Sequence, residues 1–411
     1  MHKVRDLLVI ITCLALTSLS FAGDNDFKLR GFGTLGYAYS STDNVEIVRD
    51  LSQSKGLGNS GRSSWEFDSL LGLQLDYRIN DSVDSAIQLV SKNSAAYNYQ
   101  PQLTWAYLSY SKSDDWRFRV GRLGYDTYML ADSRNVGFSY LWARPPIEVF
   151  GSLFMTYFDG VDLVWQSPTL PLKAKFFYGH AREKTAITDD GDIYSLNRSP
   201  MMGVYLDYHY DAWQFRASMA QIRFHDEVAS LVPLHSFFDN PAIHQWVPAT
   251  ANYVSQLGLK DKRIRYYSLG FAYERDNFEL QGMFGRFTTD TALFPDSRSA
   301  YLTLGYRLGQ FKPYLSGSWV RQLKDYPVPA LPRGISPELD AINQSLIESR
   351  PYNENGQSSY SIGLRIDLND RSNLKLQIDQ LSASRYLLVR KRQSDWDGRA
   401  RLYSITYNFI F

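Results

Sequence analysis

Acid–base chemistry in this chain would have to rest on His180, His209, His225, His235 and His244, and these are scattered. Only His209 lies on the inward face of a strand, two residues from Asp207 on the same face. A hydrolytic mechanism needs a histidine within reach of a nucleophile or a bound water. An i, i+2 pair by itself is an ordinary feature of a polar-faced strand, so the chain is not read as an enzyme. Asp189-Asp190-Gly191-Asp192 has the look of a calcium loop without its spaced ligands or terminal glutamate, and reads as an exposed turn. Cys13 is the only cysteine, which leaves no disulfide and no cysteine-based zinc site. No metal and no cofactor is implied. The remaining candidates are the charges of Leu123 to Gly151: Asp126, Asp132, Arg134, Arg144 and Glu148, set among Tyr125, Tyr128, Phe138, Tyr140, Trp142 and Phe150. That stretch is too irregular for a strand and too rich in Gly and Pro for one helix. Its aromatic content argues against disorder, so it reads as a long loop packed inside something hollow.

The elements around it must supply the hollow. Residues 1–22 read as a cleaved secretory signal, with Lys3 and Arg5 before an apolar run from Leu7 to Leu16 and Ser20-Phe21-Ala22 as a small-x-small cleavage site. That run is about ten residues, short of the ~20 a membrane helix needs. Without the signal the formal charge falls from +1 to neutral, which does not suggest nucleic acid as a partner. The anomaly is aromatic content: 29 Tyr, 23 Phe and 9 Trp, while the mean hydropathy is −0.33. A chain both aromatic-rich and hydropathically bland fits a transmembrane barrel, in which alternate residues face lipid between two aromatic girdles.

From Leu29 onward, period-two alternation recurs through sixteen segments. In strand two, Trp65, Phe67, Leu71, Leu73, Leu75 and Tyr77 share one face against Glu66, Asp68, Gly72, Gln74 and Asp76. Strand five sets Trp116, Phe118 and Val120 against Arg117 and Arg119. Strand seven sets Leu172, Ala174, Phe176 and Tyr178 against Lys173 and Lys175. Strand nine opposes Arg216 to Trp213, Phe215, Ala217 and Met219. Strand sixteen closes the chain with Tyr403, Ile405, Tyr407, Phe409 and Phe411. The connections alternate between short turns and long loops. One of the long ones, Ser41 to Ser64, is polar and reads as exposed. Two others carry helical signals, Leu339 to Glu348 behind Ser336-Pro337-Glu338 and, less clearly, Ala249 to Leu259. The fold class that follows is all-β, a transmembrane antiparallel β-barrel of about sixteen strands over residues 23–411, with no further domain.

The signal, the sixteen-strand rhythm and the terminal Phe411 on Tyr-Ser-Ile-Thr-Tyr-Asn-Phe-Ile-Phe resemble a Gram-negative outer-membrane porin. The resemblance implies a homotrimer among outer-membrane lipids and lipopolysaccharide, with Phe411 as the assembly signal read by the barrel-assembly machinery. It also implies that the third extracellular loop, here Leu123 to Gly151, folds into the barrel and constricts it. The loop lacks the Pro-Glu-Phe-Gly-Gly type of turn of the general porins, and its charges are mixed. The selectivity of that family is therefore not carried across.

If the aromatic faces meet lipid, the opposite faces line water. The pore-wall candidates are then Glu66, Asp68, Arg117, Arg119, Lys173, Lys175 and Arg216, with acids grouped on strands two and three and bases on five, seven and nine. Such a segregation would set a field across the lumen; the charges could equally be plain solvated lumen groups. The constriction candidates are Asp126, Asp132, Arg134, Tyr140, Trp142, Arg144 and Glu148, each lining the aperture or fastening the loop, with Arg144 and Glu148 able to pair with each other. The function expected is passive diffusion of small hydrophilic solutes and ions. The alternative is a substrate-specific channel with a solute-binding constriction, and a soluble all-β binding protein is the rival from another class.

Overall fold

A computed structural model of the chain describes residues 26–153, 155–186, 193–294, 296–323, 333–334, 337–348, 356–385 and 388–411. The expected signal peptide with Cys13, the Asp189–Asp192 turn and the cap residue Ser336 lie outside the described residues. Sixteen long strands run in chain order: β1 (Phe27–Ser40), β2 (Leu70–Asn80), β3 (Val83–Lys92), β4 (Gln102–Ser113), β5 (Trp116–Gly124), β6 (Tyr157–Gln166), β7 (Leu172–Ala181) and β8 (Ser199–Tyr210). They continue as β9 (Trp213–Arg223), β10 (Arg263–Arg275), β11 (Phe278–Thr289), β12 (Ser297–Tyr306), β13 (Phe311–Gln322), β14 (Gly356–Asn369), β15 (Ser372–Arg385) and β16 (Arg399–Ile410). Each is antiparallel to its neighbour in sequence, and β1 pairs with β16 from Phe32↔Ile410 to Ser40↔Leu402. The sheet is a closed sixteen-stranded barrel without a free edge.

Alternation decides which face meets what. On β8, Met202, Val204, Leu206 and Tyr208 are exposed while Met201, Gly203, Tyr205 and Asp207 are buried. On β10, Leu269 is 65% exposed and its neighbour Ser268 only 5%. Apolar side chains thus point outward along the strands and polar ones inward, the reverse of a soluble protein and the pattern of a barrel in lipid. The short turns lie at one end of the barrel with Phe27 and Ile410. Two of them, Asp211-Ala212 and Asp276-Asn277, join strands through two residues, and Asp211 and Asp276 carry φ of 51° and 54°. Such hairpin loops need φ above zero, and Asp tolerates it better than most residues. Closure at this end draws Phe411 onto β1: Gly31 N–H donates to the Phe411 carbonyl at 2.9 Å, and a Cβ at position 31 would fall 2.1 Å from the Phe411 ring.

The long loops occupy the other end. Between β9 and β10 the chain forms three helices, Val232–Phe238, Pro241–Trp246 and Pro248–Leu257, each with proline in its first turn. Pro337–Glu348 is helical too, so both expected loop helices form. Two strand-level expectations change. The loop from Ser41 to Ser64 is not simply exposed: Val45, Ile47, Val48 and Leu57 are fully buried, and Glu46–Ile47 forms a small sheet with Leu57–Gly58 and Val389–Arg390 across the mouth. Strand two does not start at Trp65. A turn over residues 66–68 interrupts the alternation, so β2 begins at Leu70, and Phe67 is buried to 1% exposure instead of facing lipid. Ser69 stabilises the break by accepting from the Gly36 N–H at 2.9 Å and donating to the Trp65 carbonyl at 2.6 Å.

Leu269 lies midway along β10, so Leu269→Arg is expected to destabilise the lipid-inserted barrel by about 2–4 kcal/mol, the cost of an arginine on the lipid face near the bilayer centre. Denaturant-dependent folding into phosphatidylcholine vesicles measures it, and a barrel whose outer face met water would be indifferent to the change.

Candidate functional site

The segment between β5 and β6 hydrogen-bonds to strands on the far side of the barrel. Trp142 Nε1 donates to Thr303 Oγ1 on β12 at 2.9 Å, and the Ala143 N–H donates to Gln377 Oε1 on β15 at 2.9 Å. Arg144 sits 2% exposed with Nε and Nη2 on the two Asp68 oxygens at 2.9 and 2.6 Å, Nη1 on Asp379 at 3.3 Å, and Nη2 on Ser404 Oγ at 2.8 Å. Its guanidinium also lies over the Phe67 ring at 4.5 Å. Glu148, in the short helix Ile147–Phe150, accepts from Ser318 Oγ at 2.7 Å, Gln357 Nε2 at 2.5 Å and Ser359 Oγ. Arg144 and Glu148 therefore do not pair with each other; each goes to its own wall sector. The reason is geometric: four residues apart across a Pro-Pro turn and a single helical turn, they face different strands.

The wall in turn serves the loop backbone. Lys375 Nζ donates to the carbonyls of Gly137 at 2.5 Å, Trp142 at 2.9 Å and Tyr140, while Arg365 Nη1 donates to Phe138 at 2.8 Å. Arg216 reaches the carbonyls of Asp126 and Tyr128 at 3.1 and 2.9 Å. An irregular backbone inside a barrel must find such partners or leave polar groups desolvated. The loop aromatics complete the packing: Trp142 meets Tyr301 edge-on at 5.5 Å, and Tyr125 meets Phe177 at 5.7 Å. Trp142, Arg144 and Glu148 thus fasten the loop.

A run of polar cavities lies on the opposite side, along β1 to β5. Three cavities follow one another there through shared lining. At the short-turn mouth, Arg30, Gln74 and Arg371 line a space that also touches Gln88, Trp105, Asp132 and Val136. Those last four lead into a second cavity with Thr104, Arg119, Asp126, Arg134 and Asn135. Arg134 and Asn135 then lead into a third, lined by Arg49, Asp50, Asp68, Lys92, Tyr140 and Arg144. Among the sequence candidates, Asp126, Asp132, Arg134, Tyr140 and Arg119 meet on this path, and Asp68 and Arg144 border it as a closed pair.

The wall charges do not segregate as expected. Arg119 forms a fork with Asp162 at 2.9 and 2.6 Å, Lys175 contacts Asp162 at 3.0 Å and Asp126, and Arg216 forms a fork with Asp207 at 2.6 and 2.7 Å. The basic sector is neutralised where it stands, because Asp162 on β6 projects inward between Arg119 and Lys175, and Asp207 pairs across β8–β9 in register. This also occupies the carboxylate beside His209. Glu66 lies in the turn before β2, not on the wall, and Asp68 follows it there. Arg117 is exposed near the turn end with Nε on Ser111 Oγ at 3.2 Å, and Lys173 lies 5.9 Å from the Tyr205 ring. Among the described residues no cluster of three His, Cys, Asp or Glu side chains could hold a metal ion.

Sequence reading missed Arg49 and Lys92, whereas parity placed Lys375 inward without showing that it serves the loop backbone. Lys92 had a signal: it continues the inward parity of Asp84, Ala86 and Gln88 by two further steps on β3. Arg49 had none, since nothing in the polar loop marked the part that folds inward.

No protein-family model matches the chain, and no curated protein matches it in sequence. Solved structures match in shape. OmpT, an outer membrane protein of Vibrio cholerae, aligns with a TM-score of 0.55 at 11% identity over 95% of this chain and all of that one. An anion-selective porin from Comamonas acidovorans aligns at 0.52 and 15% identity over 94% and 99% of the two chains. OprB of Pseudomonas putida aligns at 0.55 and 7% identity over 94% of each. At such identities the likeness is one of fold: the chain has the sixteen-stranded porin fold.

Two outcomes follow. Arg144→Ala leaves Asp68 and Asp379 buried without their cation, a loss of about 3–5 kcal/mol for breaking a buried pair. Limited proteolysis of the folded barrel should then cut between residues 123 and 151, where the parent resists. For pH, burial would raise the Asp126 pKa, but the Lys175 ammonium, with Arg119 behind it, lowers it below the ordinary carboxylate value. A depressed carboxylate stabilises the fold above its unfolded pKa of about 3.9 and loses that contribution as pH falls through the lower folded value. Single-channel recordings should therefore stay quiet from pH 7 to about pH 4 and become noisy only below it; noise setting in near pH 6 would refute this fastening.

Proposed function

We propose that this chain is an outer-membrane channel through which small hydrophilic solutes and ions diffuse passively, with the loop from Leu123 to Gly151 setting the aperture. The observation that carries the reading is the polar path along β1 to β5, bordered on one side by Asp132, Arg134 and Asn135 of the loop and on the other by Gln74, Gln88, Thr104 and Arg119 of the wall. A wall of amides, hydroxyls and paired charges offers a hydrated solute exchangeable partners, and the pairing of Arg119, Lys175 and Arg216 keeps the wall close to neutral. That balance favours a general pore over a strongly ion-selective one. A substrate-specific channel remains the second reading, and it draws on the third cavity, where the lining is more basic.

The outer face supports a membrane setting and a lipid partner. Arg286, Arg298 and Arg321 stand in register across β11, β12 and β13, all exposed and without an ion pair among the described residues. The row of Phe284, Ala300 and Trp319 lies two residues further into the barrel, at the level of an aromatic girdle. Three like charges set side by side in this way suit the phosphates of lipopolysaccharide or another anionic headgroup at the long-loop end. A homotrimer, export by a cleaved signal and recognition of Phe411 by the assembly machinery belong to the same reading. The ring of Phe411 against Gly31, at the seam where β1 meets β16, is where such recognition would bear on closure.

Deleting residues 133–139 is expected to raise single-channel conductance in planar bilayers several-fold while insertion persists. Liposome swelling should then admit larger sugars than the parent does. Unchanged conductance would place the aperture elsewhere, and an absence of conductance steps from the parent would refute the channel.

A further inference from the structure

We propose that the third cavity, on the long-loop side of the loop residues Arg134 and Asn135, is a binding site for a small organic carboxylate. The proposal rests on the channel reading and names the solute class of one part of its path.

The cavity, open to the lumen, is bordered by four cations, Arg49, Lys92, Arg134 and Arg144, and two carboxylates, Asp50 and Asp68. Both carboxylates are committed. Asp68 gives both oxygens to Arg144, and Asp50 accepts from Arg49 Nε at 2.9 Å and from the Ser52 N–H at 2.8 Å and its hydroxyl. The cations are not all matched. Lys92 is 7% exposed, and among the described residues it makes no hydrogen bond and no ion pair. Arg49 Nη2 is buried without a partner. Arg134 donates through Nη1 to the carbonyls of Leu153 and Met155 at 2.5 and 2.6 Å and to no carboxylate among the described residues. The other carboxylate whose charge reaches Lys92, Glu183, is taken by the Thr156 N–H and hydroxyl, each at 2.6 Å.

Lys92, on a largely buried side chain, has no partner for its ammonium among the described residues, and the buried Arg49 nitrogen on the same cavity is a second unmatched donor. Both are relieved by one oxyanion: a carboxylate takes Lys92 Nζ on one oxygen and the free Arg49 nitrogen on the other, with Arg134 adding charge. The rest of the lining says what that oxyanion is attached to. Leu70, Tyr140, Ala143, Pro145 and Phe150 form an apolar flank, which would contact the body of an organic acid and give nothing to a bare mineral anion.

Purified full-length protein is tested in planar bilayers and, independently, by isothermal titration in detergent, using benzoate, acetate, inorganic phosphate and benzyl alcohol. Benzoate is expected to bind and to reduce the current saturably, and benzyl alcohol to do neither. Lys92→Gln should weaken benzoate about tenfold or more, the loss of one charge-assisted hydrogen bond, and Lys92→Arg should restore most of it. Conductance steps with no benzoate binding in either measurement would overturn the site and leave the channel standing. Benzoate binding in detergent without conductance steps would sink the channel and keep the site. Equal binding of phosphate and benzoate would overturn the organic assignment, and equal affinity in Lys92→Gln would overturn the role of Lys92.

Discussion

A length of irregular backbone inside a barrel can persist only if its polar groups are answered from the wall, and the interior of this protein is arranged around that demand. Lys375, Arg365 and Arg216 spend their donors on carbonyls of the loop, from Asp126 to Trp142. Arg144 and Glu148 return the favour to Asp68, Asp379, Ser318, Gln357 and Ser359. Hydrogen bonds to charged groups are worth about 1.5–3 kcal/mol each, roughly twice the neutral kind, so a few of them hold a segment with little regular structure of its own.

That fastening divides the lumen. The loop leans on β12 to β16, where it buries Trp142 and Tyr140 against Thr303, Tyr301 and Lys375, and leaves a run of polar cavities along β1 to β5. Arg119, Lys175 and Arg216, which might have formed a field, are spent in pairs, so the interior on that side is polar and mostly neutral, with one basic chamber. The chamber exists because the loop after β1 folds over the mouth and carries Arg49 and Asp50 inward, opposite Lys92 on β3.

The architecture was legible because a barrel in lipid writes itself into period-two alternation. Leu269 against Ser268, or Val204 against Tyr205, shows the rule in single residues, and the long-short rhythm of connections gives the strand count. It failed at Trp65 to Ser69, where the residues alternate by type but the chain turns, since a turn held by Ser69 to Gly36 and Trp65 leaves no mark in hydropathy. The same limit applies to the charges. Parity places Arg119, Lys175 and Arg216 in the lumen, and Asp162 and Asp207 with them, but says nothing of which stands beside which.

Sequence alone therefore determined the closed all-β barrel and the face of nearly every strand residue, because each depends on local periodicity and chain length. Tertiary structure decided which of the loop residues fasten and which border the path, why Arg144 goes to Asp68 and not to Glu148, and where Arg49 and Lys92 meet. Those outcomes depend on which strands face one another across the lumen, up to 260 residues apart as in Arg144 to Ser404. No local pattern carries that distance. Burial in a shared interior makes the pairing strong enough to matter.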